Sequence, residues 1–410
     1  MKKIIWSLQI LFFAIGLSKC KSVNTVGKEY ISQERNSYKF DSQIDSIMNK
    51  DPKNPDYEWA ATLYSLKSNF KQALSIWDSI PENPNRSKAI DTNFIQSGYR
   101  VLSAKNYIIK ESKKSSLIIL NEAHHNNSHR VFAESLLPGL YKNGYKMLFL
   151  ETLINNEEVD TLLNKRKYPI DGSGFYSINP QYGNFIRKAL KIGFTIFPYE
   201  TTRNIDGKIR EIKQANNIYS ILKKHPDKKA LIYVGYGHNR EGKVSYWDKT
   251  MAERLKELTG IDPITISQDK FSEKSSKSLS NPLLVELNLK EPSILLNKEN
   301  SPYKTKTDSS WIDITVFHPF TEYKNGRPNW LFFDNKKSVS IDFKEITIDF
   351  PILLMAYNNK KEIKNKAIPL DIVEVDNKDE YATLVLKKGK FTLKVINEYN
   401  IYQLIDIIVY

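Results

Sequence analysis

Between residues 115 and 270, short apolar runs alternate with longer amphipathic stretches, and this constrains the fold more than any other feature of the 410 residues. The runs, mostly β-branched or aromatic, are Leu117–Leu120, Met147–Leu150, Phe194–Phe197 and Leu231–Val234, with a weaker one at Ile264–Ile266 after Pro263. Between them lie Val131–Tyr141, Ile186–Ile192, Ile209–Leu222 and Met251–Leu258, whose apolar positions recur at helical spacing. Strands too apolar to leave one face in water, separated by helices, predict parallel βαβ units with both faces of the sheet covered.

The flanks show other patterns. Asp56 to Ile80 carries Trp59, Ala60, Leu63 and Tyr64, a break at Asn69-Phe70, then Ala73, Leu74 and Trp77. This resembles one tetratricopeptide helix pair; with no second good copy, it is expected to dock on the next domain. From about residue 285, Ser338–Phe350, Ile352–Tyr357, Ile368–Val375, Ala382–Leu386 and Phe391–Ile396 show strand composition, and Lys387-Lys388-Gly389-Lys390 predicts a hairpin turn. The fold class is therefore α/β: a parallel-sheet core over 111–280, preceded by a helical region over 41–110 and followed by an all-β accessory domain over 281–410. His318, beside Pro319 with Glu322 nearby, is a weak metal candidate in that accessory domain.

At the N-terminus, Lys2 and Lys3 precede the apolar stretch Ile4–Leu17, which is short for a membrane span and suited to a secretory signal over 1–20. Cys20 is the single cysteine, so no intrachain disulfide forms. The segment resembles a bacterial lipoprotein signal with Cys20 as the lipidated residue, although Lys19 departs from the small residue usual there. That implies a membrane-anchored body in the cell envelope with residues 21–40 as a tether, ordinary secretion being the alternative. The net charge of +14, from 61 basic against 47 acidic residues, comes from lysines scattered along the whole chain. Without a basic stripe interleaved with aromatics, nucleic acid is not an expected partner.

The residues just past each strand carry the functional signal. The first run leads into Asn121-Glu122-Ala123-His124-His125, the second into Glu151, the third into Pro198-Tyr199-Glu200, and the fourth into Gly235-Tyr236-Gly237-His238. Ligands of open parallel sheets bind beyond the carboxyl ends of the strands. Glu122, His124, Glu151, Glu200 and His238 are therefore expected on one rim.

Clustered carboxylates repel unless a cation balances them. One source is a divalent metal of the zinc or manganese class held by Glu122, His124, Glu151 and His238. The other is arginine, with Arg130, Arg203 and Arg240 each close in sequence to a site residue. His125, His129, Arg130, Glu200, Arg203, Tyr176 and Tyr236 are candidate substrate contacts. The connection Tyr168–Gly183, with its glycines, predicts a lid or a substrate wall.

These motifs, Asn121 to Arg130, Leu150-Glu151 and Gly235 to Arg240, resemble the superfamily of ChaN-like haem-binding lipoproteins, Tiki-type metalloproteases and erythromycin esterases. The shared pattern is a Gly-Glu-x-His opening, a second strand ending in Glu, and a late Gly-x-Gly-His. It covers residues 115–270, with Asn121 in place of the glycine, and Glu122-x-x-His125 also fits the esterase register. The resemblance implies site residues Glu122, His124, His129, Glu151 and His238. It points to two functions. A hydrolase of ester or peptide bonds would attack with a metal-bound water or with a water deprotonated by Glu122 or His124, and would use His238 with Arg240 or Arg130 against developing charge. A haem carrier would use Tyr176, Tyr182, Tyr199, Tyr236 or a histidine as axial ligand. A non-catalytic envelope protein is the remaining reading.

Overall fold

Eight strands form the central sheet, and their order explains why distant motifs meet. The computed structural model describes residues 24–33, 37–81, 90–201, 205, 207–307 and 309–410. In chain order we label β1 (Asn24–Gln33), β2 (Tyr99–Ser103), β3 (Leu117–Glu122), β4 (Tyr145–Leu150), β5 (Thr195–Pro198), β6 (Lys229–Gly235), β7 (Ile264–Phe271), β8 (Ser293–Asn297) and β9 (Ile314–Phe317). The sheet runs β2-β8-β9-β7-β3-β6-β4-β5. From β9 to β5 every pairing is parallel, while β8 is antiparallel to both its neighbours. The α/β fold read from the sequence is thus present, with a mostly parallel sheet and antiparallel β-sheets after it.

Helices α4 (Ser128–Lys142), α5 (Pro180–Ile192), α6 (Gly207–Leu222) and α7 (Met251–Thr259) cover the sheet. Strand alternation sends Ile118, Leu120, Leu148, Leu231 and Tyr233 to a core with α4 and α5 residues Leu136, Leu140, Phe185 and Ile186. The intervening residues Ile119, Phe149, Ile232 and Val234 face α6 and α7 through Ala215, Ile218, Met251 and Leu255. Burial on both faces is why the strand runs are continuously apolar.

Three sequence boundaries move. Strands β8 and β9 belong to the central sheet, so the α/β domain continues past 280 to residue 317, and His318 belongs to it. The segment expected to be a tether contains β1, which pairs antiparallel with Ile401–Val409 as the edge of the C-terminal sheet. Its sequence, with Val26, Tyr30 and Ile31 as the bulky apolar residues, lacks the regular alternation that signals a strand. The Lys387–Lys390 segment is not a hairpin: Ala382–Leu386 pairs with Lys337–Ile341, whereas Gly389–Asn397 pairs with Ile352–Tyr357 and Ile401–Val409. The turn crosses between two sheets that share one core, which includes Leu384, Leu354 and Val395.

Helices α1 (Asp41–Met48), α2 (Tyr57–Leu66) and α3 (Phe70–Asp78) pack around Ala60, Tyr64 and Ala73. They sit on the rim of the sheet: the Ser65 carbonyl accepts from Asn127 and Asn179, at 2.8 and 2.7 Å, and Trp77 stacks on His125 at 3.9 Å. Lys67, almost fully buried, pairs with Asp41 and with Glu374 of the C-terminal sheet. Among the described residues no helix is long and apolar enough to cross a membrane. Cys20 and the expected signal segment lie outside them.

Candidate active site

Strands β3, β6, β4 and β5 are consecutive neighbours in the sheet, so the groups at their carboxyl ends share one rim. Glu122 is the last residue of β3 and is almost fully buried. Its carboxylate accepts two bonds from Arg130, Nε to Oε2 and Nη2 to Oε1, both 2.8 Å. It also accepts from the Tyr233 hydroxyl at 2.9 Å and from His124 Nδ1–H at 2.9 Å. Burial alone would raise the Glu122 carboxyl; the Arg130 guanidinium, then His124, overcome it and hold it at about 2. Glu122 is therefore a fixed anion with both oxygens engaged. It orients His124 and is poorly suited to take up protons itself.

Holding Nδ1–H on Glu122 leaves Nε2 as the other nitrogen of His124. The ring stacks on Tyr176 at 3.9 Å and meets Tyr236 edge-on at 5.0 Å. It passes so close to Gly235 that a Cβ there would lie 2.5 Å from both Cε1 and Nε2 and 3.3 Å from Glu151 Oε2. Glycine at the end of β6 is thus required by the approach of two side chains.

Glu151, just beyond β4, accepts from the Gly235 N–H and from Arg210 Nη2, the latter at 2.6 Å. Burial pushes its carboxyl up, but His238, Arg210 and His124 with the Gly235 N–H bring it below the usual range. Arg210 also binds Glu200 through Nε and Nη2, and Gln214 donates to the same carboxylate at 3.1 Å. His238 forms an ion pair with Glu211, Nδ1 to Oε1 at 2.5 Å, and its ring is stacked on Trp247 at 5.0 Å. Its Nε2 has Arg210 Nη1 at 3.2 Å and Glu151 Oε1 at 3.6 Å. Burial disfavours the imidazolium, yet Glu151 and Glu211 outweigh it and raise His238 above its ordinary value.

The site therefore contains two carboxylate–histidine pairs, Glu122–His124 and Glu211–His238, on either side of Glu151 and Arg210. Arginine balances the charge. A divalent metal does not fit this donor set: the Glu122 and Glu151 oxygens are taken by arginines, Tyr233 and Gly235 N–H. Among the described residues no three His, Cys, Asp or Glu side chains gather as a metal would need.

Several expected contacts have other roles. Arg130 is fully buried and holds Glu122, Asn127 and the His124 carbonyl, so it does not face a substrate. His129 is buried: Nδ1 accepts from the Ala123 N–H at 3.0 Å and Nε2 donates to Ser272 at 2.6 Å. Burial, then neighbouring His318, keeps it neutral and makes it a brace for the loop. Among the described residues the Arg240 side chain touches no carboxylate and reaches Ser310, at 3.4 Å. Arg203 lies outside the described residues. His125 and Tyr236 line a neighbouring cleft with Trp77. His318 packs beside His129; burial lowers it to about 3, and it offers no metal site.

As haem ligands, Tyr182 and Tyr199 do not fit. Both are buried, Tyr182 under Arg130, and the Tyr199 hydroxyl donates to the Tyr233 carbonyl at 3.2 Å. The Tyr168–Gly183 connection is a pinned wall. Phe175 N–H and Ser177 N–H bond to Thr152, at 3.2 and 3.1 Å, and Gly174 lies directly on the Thr152 carbonyl. Asn121 is a clamp: its amide donates to the Tyr236 carbonyl and Asp269 and accepts from Gln268 N–H.

Sequence reasoning misses Arg210, Glu211, Gln214 and Tyr233. A signal exists. Glu211 and Gln214 fall on the buried stripe of α6 with Ala215, Ile218 and Leu222, and polar residues on such a stripe need partners.

No family model matches the chain, and no curated protein does. Among solved structures, the chain is similar to the type III effector HopBA1, at 10% identity over 56% of this chain and 100% of that one, TM-score 0.33. It is also similar to ChaN of Campylobacter jejuni, which binds heme cofacially, at 12% identity over 43% and 93%, TM-score 0.31. A third is RRSP, a MARTX toxin effector domain from Vibrio vulnificus, at 15% identity over 52% and 43%, TM-score 0.28. Likenesses this distant carry no functional argument, and the chemistry is read from the side chains alone.

Proposed function

We propose that the protein is a hydrolase of ester or amide bonds that works without a metal, at the rim formed by β3, β6, β4 and β5. The observation that carries this reading is the pairing of each histidine with a buried carboxylate through Nδ1, which leaves Nε2 for proton transfer. His124, oriented by Glu122, takes a proton from the attacking water. His238, held cationic by Glu151 and Glu211, donates to the leaving group. Arg210, with its side chain 31% exposed, is the cation available to the tetrahedral oxyanion. As part of the same proposal, Cys20 is lipidated and tethers the body to the cell envelope, a reading that rests on the sequence from Lys2 to Cys20.

The test is turnover of a panel of para-nitrophenyl esters and fluorogenic peptides by the full chain. His124→Gln and Glu122→Gln should each lower kcat by about a hundredfold or more while leaving the circular dichroism spectrum intact. Chelators should have no effect. Full activity in His124→Gln, or activity restored only by added zinc or manganese, would reject the proposal.

A further inference from the structure

A cleft of about 1230 Å³ opens beside Tyr236 and His125, and none of Glu122, His124, Glu151 or His238 lines it. Its charges are unevenly satisfied. Lys274 pairs with Asp78 at 3.1 Å, Lys304 with Asp313 at 2.9 Å and Lys306 with Asp91 at 3.1 Å. Glu273 spends its carboxylate on the Thr321 N–H and hydroxyl. Arg240, Lys243 and Lys270 make no ion pair among the described residues. Asp269, the carboxylate next to Lys270 in the cleft wall, is held by Asn121 and Ser267 at 2.9 and 2.8 Å.

Arg240 and Lys270 are also close enough to repel. After burial, Arg240 is the main cause that lowers the Lys270 ammonium. Asp269 opposes this without cancelling it, and two partly buried like charges that are only partly offset are unfavourable unless something anionic joins them. The surroundings suit an oxyanion: the hydroxyl of Ser310 lies 3.4 Å from Arg240, and the Tyr246 ring, 57% exposed, offers an apolar face beside the cations.

We propose that this cleft binds a phosphate-bearing small molecule, with its phosphate between Arg240 and Lys270 and its body against Tyr246. A guanidinium recognises two phosphate oxygens at once, and the ammonium supplies a second charge. Among the described residues six cationic side chains line the cleft against three carboxylates, an excess that matches a dianion better than a monocarboxylate. This site is separate from the hydrolytic rim and does not depend on the reaction assigned there.

The experiment is calorimetric titration of the full chain with phenyl phosphate and with inorganic phosphate, using benzoate as the comparison. Phenyl phosphate should bind saturably and more tightly than benzoate, and more weakly at higher ionic strength. Arg240→Gln and Lys270→Gln should each weaken it about tenfold or more. Lys304→Gln, whose lysine is already paired, and Arg210→Gln, at the rim, should bind as the unmodified chain does. Both cleft side chains are partly exposed, and an unchanged unfolding midpoint verifies each variant; should Arg240→Gln fail to fold, Lys270→Gln decides alone. Absence of saturable binding, or undiminished binding in the cleft variants, overturns the proposal. So does loss of binding in Arg210→Gln, which would place the anion at the rim, where Arg210 is paired with Glu151 and Glu200.

Discussion

Arg130 and Glu122 meet through two parallel N–H···O bonds, both 2.8 Å, with side chains 0% and 2% exposed. Among the described residues Arg130 is the only Lys or Arg that touches Glu122. Removing the arginine alone therefore strands a buried charge, which costs about 3–5 kcal/mol. Arg130→Met should lower stability by that order in urea denaturation. Adding Glu122→Gln to it should recover part of the loss, because the uncompensated charge disappears. A loss below about 1 kcal/mol for Arg130→Met would mean the pair does not hold the rim.

The same pairing makes the fold sensitive to acid. The Glu122 carboxyl is held at about 2 in the folded chain and returns to roughly 4.3 on unfolding. A depressed value stabilises the fold fully above the unfolded value, and the contribution disappears as pH falls from there through about 2. Its size is on the order of 3 kcal/mol. Glu151 acts in the same direction. Denaturation midpoints should fall across that window, and Glu122→Gln should flatten the acid limb. An equally steep limb in the variant would assign the acid sensitivity elsewhere.

The convergence of Glu122, His124, Glu151, Glu200 and His238 is legible because each follows an apolar run, and parallel strands bring their carboxyl ends to one side. The balancing cation is harder to find. Arg130 and Arg240 both stand close in sequence to site residues, yet Arg240 turns into another cleft. Arg210 comes from α6 and is brought to Glu151 and Glu200 only by packing across the sheet. Strands β8 and β9 read as accessory because a break in periodicity near residue 285 looks like a domain boundary. Their pairing to β7 and β2 is a long-range relationship that local patterning does not carry. Strand β1 is the same case at an edge.

Gly235 gives a sharp steric test. Its φ of −86° suits any residue, so the demand for glycine comes only from His124 and Glu151 against its α-carbon. Gly235→Ala should therefore displace the His124 ring more than it destabilises the backbone. Displacement of a catalytic group by about an ångström costs roughly a hundredfold in rate. Gly237→Ala is the comparison, since its Cβ would meet only the Tyr246 hydroxyl at 3.3 Å. Turnover should collapse in the first and persist in the second, with similar melting temperatures. Equal activity in both would remove His124 from the mechanism.

The alkaline limb of activity should report His238. Glu151 and Glu211 face its two nitrogens, Arg210 opposes them, and Trp247 covers the ring, with the net effect of raising it. A raised value means the cation is present below the unfolded pKa, and both its stabilisation and its acid function vanish as pH rises through the folded value. The limb of kcat should accordingly lie above the ordinary imidazole value of about 6.5. Glu211→Gln removes the negative charge at Nδ1 and leaves Glu151 alone against burial and Arg210, so the limb should move to lower pH. The shift in the kcat profile, measured on an ester substrate at saturation, separates this from a simple loss of packing, which would lower the plateau and leave the limb in place. A limb unmoved in Glu211→Gln would show that some other group donates the proton.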